Sequence, residues 1–334
     1  MKPIDICLTV DTEFSLGTTF RAAGGAPVGV ERVHCRVDGH DWGLGHLLTV
    51  LDHHGLRATF FVEALHVVHF GDAPMGEVVQ RILAAGHDVQ LHLHPQWLFF
   101  RDPDWRRRLP CKPPDDRCEG RTEAELDDMI GLGLASFARW GAPRPVALRT
   151  GGLRVDRAVY RAMARQGLRL ASNIGWGWFE PEDPSLRIAA GLAWIEGVLE
   201  LPVLTYRQLA VGPLRPLRLF TITATSAAET RSLLNQAWRR QVSPCVILTH
   251  PFEFVRYFGG TDPVSPSRIT LGRLGALCGH LARHPGRFRV VCLRDGLAGW
   301  QDLPEQTFPP IRVPAMATML RVVANAANDS LRWI

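Results

Sequence analysis

The chain has 334 residues, 46% hydrophobic and 21% charged; it can bury a full core in one large α/β domain or two smaller ones, and it is not disordered. Its 38 basic residues outnumber the 33 acidic ones to give a charge of +5, but they are scattered, with Arg106, Arg107 and Arg108 the one short run, so nucleic acid is not the expected partner. Met1 to Val10 has no secretory n-region and h-region, and no apolar run is long enough to span a membrane, which sets the expected compartment as the cytoplasm.

Ile4, Ile6, Leu8 and Val10 alternate with Asp5, Cys7, Thr9 and Asp11, a first strand that ends in Asp11-Thr12-Glu13. The Gly-rich stretch from Phe14 to Gly29 then reads as a loop over a site. Leu44, Leu47, Leu48 and Leu51 mark an amphipathic helix, and Ala58 to Val62 a short apolar strand, which completes a β-α-β unit. Val78, Val79, Ile82 and Leu83 repeat at helical spacing and deliver the chain into Gly86 to Trp97. There Val89, Leu91 and Leu93 share one face of a strand and Gln90, His92 and His94 the other, so both imidazoles project together near the end that Pro95 imposes.

Leu98 to Arg121 carries prolines at 103, 110, 113 and 114 and reads as a long loop across the strand ends. Thr122 and Glu125 form a capping box before a helix through Phe137, and Val146 to Leu148 is a strand that delivers Arg149. A helix over Val155 to Met163 leads to a strand at Leu168 to Ala171, followed by Asn173, Trp176 and Trp178. Leu199, Leu201 and Val203 read as a strand, and Ser226 with Glu229 caps another helix. Cys245 to Thr249 is a strand that stops at His250-Pro251, Leu274 to Leu281 is a helix, and Phe288 to Leu293 is the last strand. Strands alternating with helices argue a parallel α/β sheet or barrel, with its chemistry at the carboxyl ends of the strands. Residues 1–300 form this body. Residues 301–334 form a proline-rich linker and a helix on which Met316, Met319, Leu320, Val323, Ala327 and Leu331 recur, with Arg321 and Arg332 off that face. Packing on the barrel, a membrane-surface contact and a dimer contact are all open to that helix. Seven cysteines without a CxxC hairpin predict buried or free thiols.

Polar groups gather at five strand ends: Asp11 with Glu13, His92 with His94, Arg149, Trp176 with Trp178, and His250. Two histidines alone do not make a metal site, but carboxylates on neighbouring strand ends supply the missing donors. Taken singly, each residue also has a plain structural role. Arg149 suits an ion pair, His250 a hydrogen-bonded loop position, the two tryptophans the core, and the triple arginine a solvated face.

In order and surroundings these segments resemble the polysaccharide deacetylases, carbohydrate esterase family four. Thr9-Val10-Asp11 is similar to the start of that family's first motif, Ala58 to Val62 to its ATFFV strand, and Gly86 to His94 to its GHEIGxH segment. Arg149 to Gly152 is similar to its arginine motif, Asn173 to Trp178 to its tryptophan motif, and Leu248-Thr249-His250 to its terminal histidine motif. The resemblance implies a distorted (β/α) barrel of about seven parallel strands, here with a proline-rich loop insertion and a C-terminal helical extension. It also implies a hydrolase with one divalent ion, zinc being the expected one, that removes an N-acetyl group from a sugar or glycolipid. Asp11 would be the general base, Arg149 would hold it by a bidentate contact, and His250 would be the general acid. Where the family has a second aspartate this chain has Thr12, and where it has its second metal histidine this chain has Gln96. Glu13 and His94 are the expected replacements beside His92, conserving the numbers of oxygen and nitrogen donors. Trp97, Trp176 and Trp178 would form an apolar wall for the substrate. Hydrolysis of another amide, such as a cyclic imide or ureide, and glycan binding without catalysis are the alternatives. A peripheral membrane contact is compatible with a glycolipid substrate.

Overall fold

The alternation in the first strand is present, but both of its faces are covered: all nine residues of β1 (Ile4–Thr12) are buried. Ile4, Ile6, Leu8 and Val10 pack in the main core with Leu47, Leu51, Val79 and Ile82 of the surrounding helices. Cys7, from the opposite face, joins a second cluster with Phe61, Ala147, Leu199, Val246 and Leu248. Two cores on alternate residues of one strand are what a curled sheet produces, with the second cluster filling its interior. The computed structural model describes all residues except 22–23, 110–112, 210–215, 258–259 and 331–334, and leaves out the side chains of 324 and 326–330.

After β1 come β2 (Thr59–Glu63), β3 (Asp88–Leu93), β4 (Ala147–Thr150), β5 (Leu170–Ala171), β6 (Val198–Glu200) and β7 (Cys245–Thr249). They lie side by side in the order β7-β1-β2-β3-β4-β5-β6, each pair parallel. Just beyond β6, Val203 bridges Val246 of β7, again in parallel, so the two edges meet and the sheet forms a distorted (β/α) barrel. Three further strands bring the sheet to ten: Gly191–Ile195 runs antiparallel beside β6, Gln306–Thr307 runs antiparallel to Gly191–Ile195 in turn, and Phe288–Val290 lies beside the start of β1.

The connecting helices are α1 (Leu44–His53), α2 (Ala73–Ala84), α3 (Glu123–Arg139), α4 (Arg157–Arg165), α5 (Ala227–Arg240) and α6 (Arg268–Arg283). Both expected capping boxes close reciprocally, Thr122 with Glu125 on α3 and Ser226 with Glu229 on α5. The stretch from Phe288 to Leu293 is not one strand. It stops at Val290, and α7 (Leu293–Trp300) begins at Leu293 and closes the amino end of the barrel. Leu293, Leu297 and Trp300 enter the interior cluster, and Trp300 Nε1 donates to Asp5 at 2.8 Å. Six cysteines are buried and free, and Cys111 lies outside the described residues.

In the tail, Ile311–Arg312 pairs with Thr205–Arg207, and α8 (Ala315–Ser330) leans on α5. It docks by its polar side: Arg321, 3% exposed, lies 3.0 Å from the buried Glu229. Met316, Met319, Leu320 and Val323 face outward instead. Leu331 and Arg332 lie outside the described residues, as does the side chain of Ala327. Among the described residues no helix is long and apolar enough to cross a membrane.

Candidate active site

Strand register decides which side chains meet. Thr249 pairs with Val10, Asp11 with Phe61, Glu63 with His92, and His92 with Arg149. Glu63, His92 and Arg149 therefore stand at one level of the carboxyl rim, with Asp11 level with Phe61 two residues earlier, and the chain leaves β1 and β3 just beyond to present Glu13 and His94. His250 follows β7 directly.

Ligand atoms of Glu13, His92 and His94 all lie within 4.8 Å of one another. Glu13 Oε2 is 2.6 Å from His94 Nε2 and 3.3 Å from His92 Nε2. The Nδ1 atoms are engaged elsewhere. His92 Nδ1 lies 2.8 Å from the Arg149 carbonyl, an acceptor only, so Nδ1 carries a proton and Nε2 is the ring nitrogen turned toward Glu13. His94 Nδ1 is 2.6 Å from Asp116 Oδ2, and the other Asp116 oxygen accepts the Gln96 N–H at 3.2 Å. Burial raises the Glu13 carboxyl, but His94, His92 and His250 outweigh it and hold it well below the usual range. Burial lowers His94, yet Asp116 and Glu13 bring it well above an ordinary imidazole. Two imidazole nitrogens and one carboxylate oxygen facing a cavity are a donor set that fits zinc or a similar divalent ion with open positions.

Beneath them lies Glu63, completely buried, whose carboxylate accepts the backbone N–H groups of Leu65 and His66 at 2.7 and 3.0 Å. It also meets His66 Nδ1 at 2.7 Å and the N–H of His94 at 3.4 Å. Gly151 permits the approach from the other side, because a Cβ there would sit 2.5 Å from His94 Nδ1. Neither Asp116 nor Glu63 was identified from the sequence. Asp116 follows Pro113-Pro114-Asp115 in the loop, where no periodicity marks a direction.

Asp11 lies beside this group. Its Oδ1 accepts from Arg149 Nη1 at 2.6 Å, and its Oδ2 is 4.0 Å from His92 Nε2 and 3.9 Å from His250 Nε2. Arg149 is fully buried, and its grip on Asp11 is single, not bidentate. Nε and Nη2 go to the carbonyl and hydroxyl of Ser172 at 3.0 and 2.7 Å, and the guanidinium lies 4.2 Å from the Phe61 ring centroid. His250 Nδ1 meets Glu253 Oε1 at 3.0 Å, while Thr249 Oγ1 donates to the other Glu253 oxygen at 2.8 Å. Burial lowers His250, but the Glu253 hydrogen bond and charge, with Asp11 and Glu13, bring it to about 9.

A cavity of about 910 Å³ opens over Asp11, Glu13, His92, His94 and His250. Trp178 stands in its wall, 68% exposed, and Gly177 lets that loop lie on the strand Leu217–Leu219, where a Cβ would fall 2.4 Å from the Arg218 carbonyl carbon. Trp176 is half-buried and does not line the cavity. Trp97 is core: the turn Pro95–Arg101 rotates it inward, fully buried, against His66, Phe70 and Phe100. The triple arginine lies in an exposed turn, Arg106 over Trp105 and Arg108 paired with Asp102.

No family model and no curated protein matches the sequence. Among solved structures, a Mycobacterium smegmatis protein assigned as a polysaccharide deacetylase superposes with TM-score 0.56 at 14% identity, over 92% of this chain and 95% of that one. A family 4 carbohydrate esterase from Streptomyces lividans, in complex with acetate, gives TM-score 0.43 at 16% identity over 87% and 93%. The peptidoglycan deacetylase PdaC from Bacillus subtilis gives 0.41 at 13% over 90% and 92%. By fold, a curled and mostly parallel sheet with its polar residues at the carboxyl rim, the chain is similar to the polysaccharide deacetylases.

Proposed function

We propose that this chain is a metal-dependent amide hydrolase that removes an N-acetyl group from a sugar in glycan or glycolipid assembly. The observation that carries the reading is the placement of Asp11, with one carboxylate oxygen about as far from His92 as from His250, beside three donors that converge on one point. Glu13, His92 and His94 would hold the ion. A divalent ion there supplies a Lewis acid that polarises the acyl oxygen and lowers the pKa of water from 15.7 toward about 7. Asp11 accepts the proton of the attacking water, and Arg149, which keeps one N–H on it, fixes its direction. His250, charged at neutral pH, gives its Nε2 proton to the departing amine. Without that proton the tetrahedral intermediate expels hydroxide in preference to the amine. Trp178 offers an apolar face to the acetyl methyl or the sugar ring.

The cytoplasm is the proposed compartment, and the outward apolar side of α8 supports a peripheral contact with a membrane that carries a glycolipid substrate. Elemental analysis of the purified protein, combined with acetate release from N-acetylated sugars and from small cyclic imides and ureides, tests the proposal. Bound divalent metal with release from sugars is the expected result. Turnover of the small amides alone would replace the substrate class, and no metal with no turnover would leave a glycan-binding protein.

A further inference from the structure

Glu13 and His94 lie just past the strands that deliver them, where ladder hydrogen bonds no longer fix the chain. Beneath them, away from the cavity, stand Glu63 and His66, both completely buried. The two side chains meet at 2.7 Å through His66 Nδ1, and Glu63 also accepts the N–H of His94 at 3.4 Å. Against the imidazole packs Phe14, the residue after Glu13, edge-on with ring centroids 4.4 Å apart. Trp97, whose N–H closes a turn onto the His94 carbonyl, packs there too. One side of the pair therefore reaches the chain beside Glu13, and the other the backbone of His94.

Packing alone does not account for an imidazole in this place. Among the described residues His66 Nε2 is buried without a hydrogen-bond partner. A phenylalanine among Phe14, Phe70, Trp97 and Trp140 would fill the same space without that cost. A buried carboxylate is likewise costly unless its oxygens are hydrogen-bonded, and those of Glu63 are met by His66 and by the N–H groups of Leu65, His66 and His94.

We propose that Glu63 and His66 are the positioning pair of the three-donor group. Glu63 sets the place of the His94 backbone, while His66 holds Glu63 and seats Phe14, so the spacing of Glu13 and His94 depends on a hydrogen bond that faces no ligand. The inference rests on the reading of Glu13, His92 and His94 as metal donors, and not on the substrate.

Zinc affinity by competition with a chelator, the visible absorption of the cobalt-substituted protein and the melting temperature of the metal-free protein are measured for wild type, His66→Phe, His66→Asn and Glu63→Gln. His66→Phe keeps the ring and removes Nδ1. It should weaken zinc about 10- to 100-fold, the usual penalty for losing a group behind a ligand, and change the cobalt spectrum. His66→Asn returns an N–H close to the lost Nδ1 and should restore most of the affinity and the wild-type spectrum. Glu63→Gln, of the same shape but with one acceptor oxygen fewer, should behave like His66→Phe, and it decides the matter should His66→Phe fail to fold. A lowered melting temperature with wild-type affinity and spectrum, or His66→Asn no better than His66→Phe, overturns the proposal. The ring signals of His94 in the metal-free protein, followed by NMR, give the same comparison without an ion: they should shift in His66→Phe and Glu63→Gln and return in His66→Asn. Those shifts beside a wild-type protein that binds no zinc would uphold the positioning of His94 and reject the metal reading.

Discussion

Asp11 occupies the point where the chemistry divides. One of its oxygens is committed to Arg149 at 2.6 Å, and the other looks into the cavity between His92 and His250. Asp11→Asn should keep the metal and lose turnover by roughly 10²- to 10⁴-fold, the usual effect of removing a general base. Metal loss in that variant, read by elemental analysis, would make Asp11 a ligand. His250 acts in the opposite direction, as an acid, and its imidazolium persists to about pH 9. Its proton is present below that value and lost above it, so kcat/KM should fall on the alkaline side near pH 9. Because Glu253 is what raises His250, Glu253→Gln should move the alkaline limb to lower pH, and His250→Ala should remove it. On the acid side, His94 is already raised by Asp116 and Glu13, so protons compete with the ion at higher pH than for an ordinary imidazole. Metal affinity should decline as pH falls, and excess ion should restore activity. An alkaline limb unchanged in His250→Ala would contradict these roles.

Strand ends and one loop place these residues. The loop after β3 reaches back to the rim through Asp116, which fixes His94 Nδ1 and the Gln96 N–H together. Asp116→Ala should cost about 10- to 100-fold in metal affinity, the usual penalty for losing a carboxylate behind a ligating histidine. Gly151→Ala, with a Cβ 2.5 Å from the His94 ring, should displace that ring and lower metal content as well. Equilibrium dialysis against a competing chelator measures both. Strand ends were legible because alternation and a stopping proline mark them, as in Leu91 to Pro95, and the two capping boxes were legible because Thr122 and Ser226 each precede a glutamate by three residues. Trp97 was misleading because the turn after Pro95 abandons the period of two that the strand obeys, so the extrapolated direction is wrong. Asp116 was invisible for a related reason: its direction is set by a tertiary contact 22 residues back along the chain. Gly191–Ile195 offered no alternation to read, with Trp194 alone exposed.

For the whole molecule, alternating strand and helix patterns sufficed to indicate a parallel sheet or barrel, and the family resemblance the barrel, but neither showed how the tail would join it. The apolar repeat of α8 left packing on the barrel, a membrane contact and a dimer contact open; the helix seats Thr318 and Arg321 on Glu229 and leaves the methionines outside. Periodicity reports that a face is distinct without reporting which side is covered. Arg321→Met would strand a buried carboxylate, and a loss of roughly 3–5 kcal/mol in denaturant unfolding is expected; a variant as stable as wild type would show that the tail does not brace the barrel. The barrel, the loop and the rim converge on the group formed by Glu13, His92 and His94. Its most direct test is the metal stoichiometry of three purified proteins: wild type, His94→Ala and Gln96→Ala. About one divalent ion per chain in wild type and Gln96→Ala, with none in His94→Ala, is the result this account predicts, and an empty Gln96→Ala beside a filled His94→Ala would contradict it.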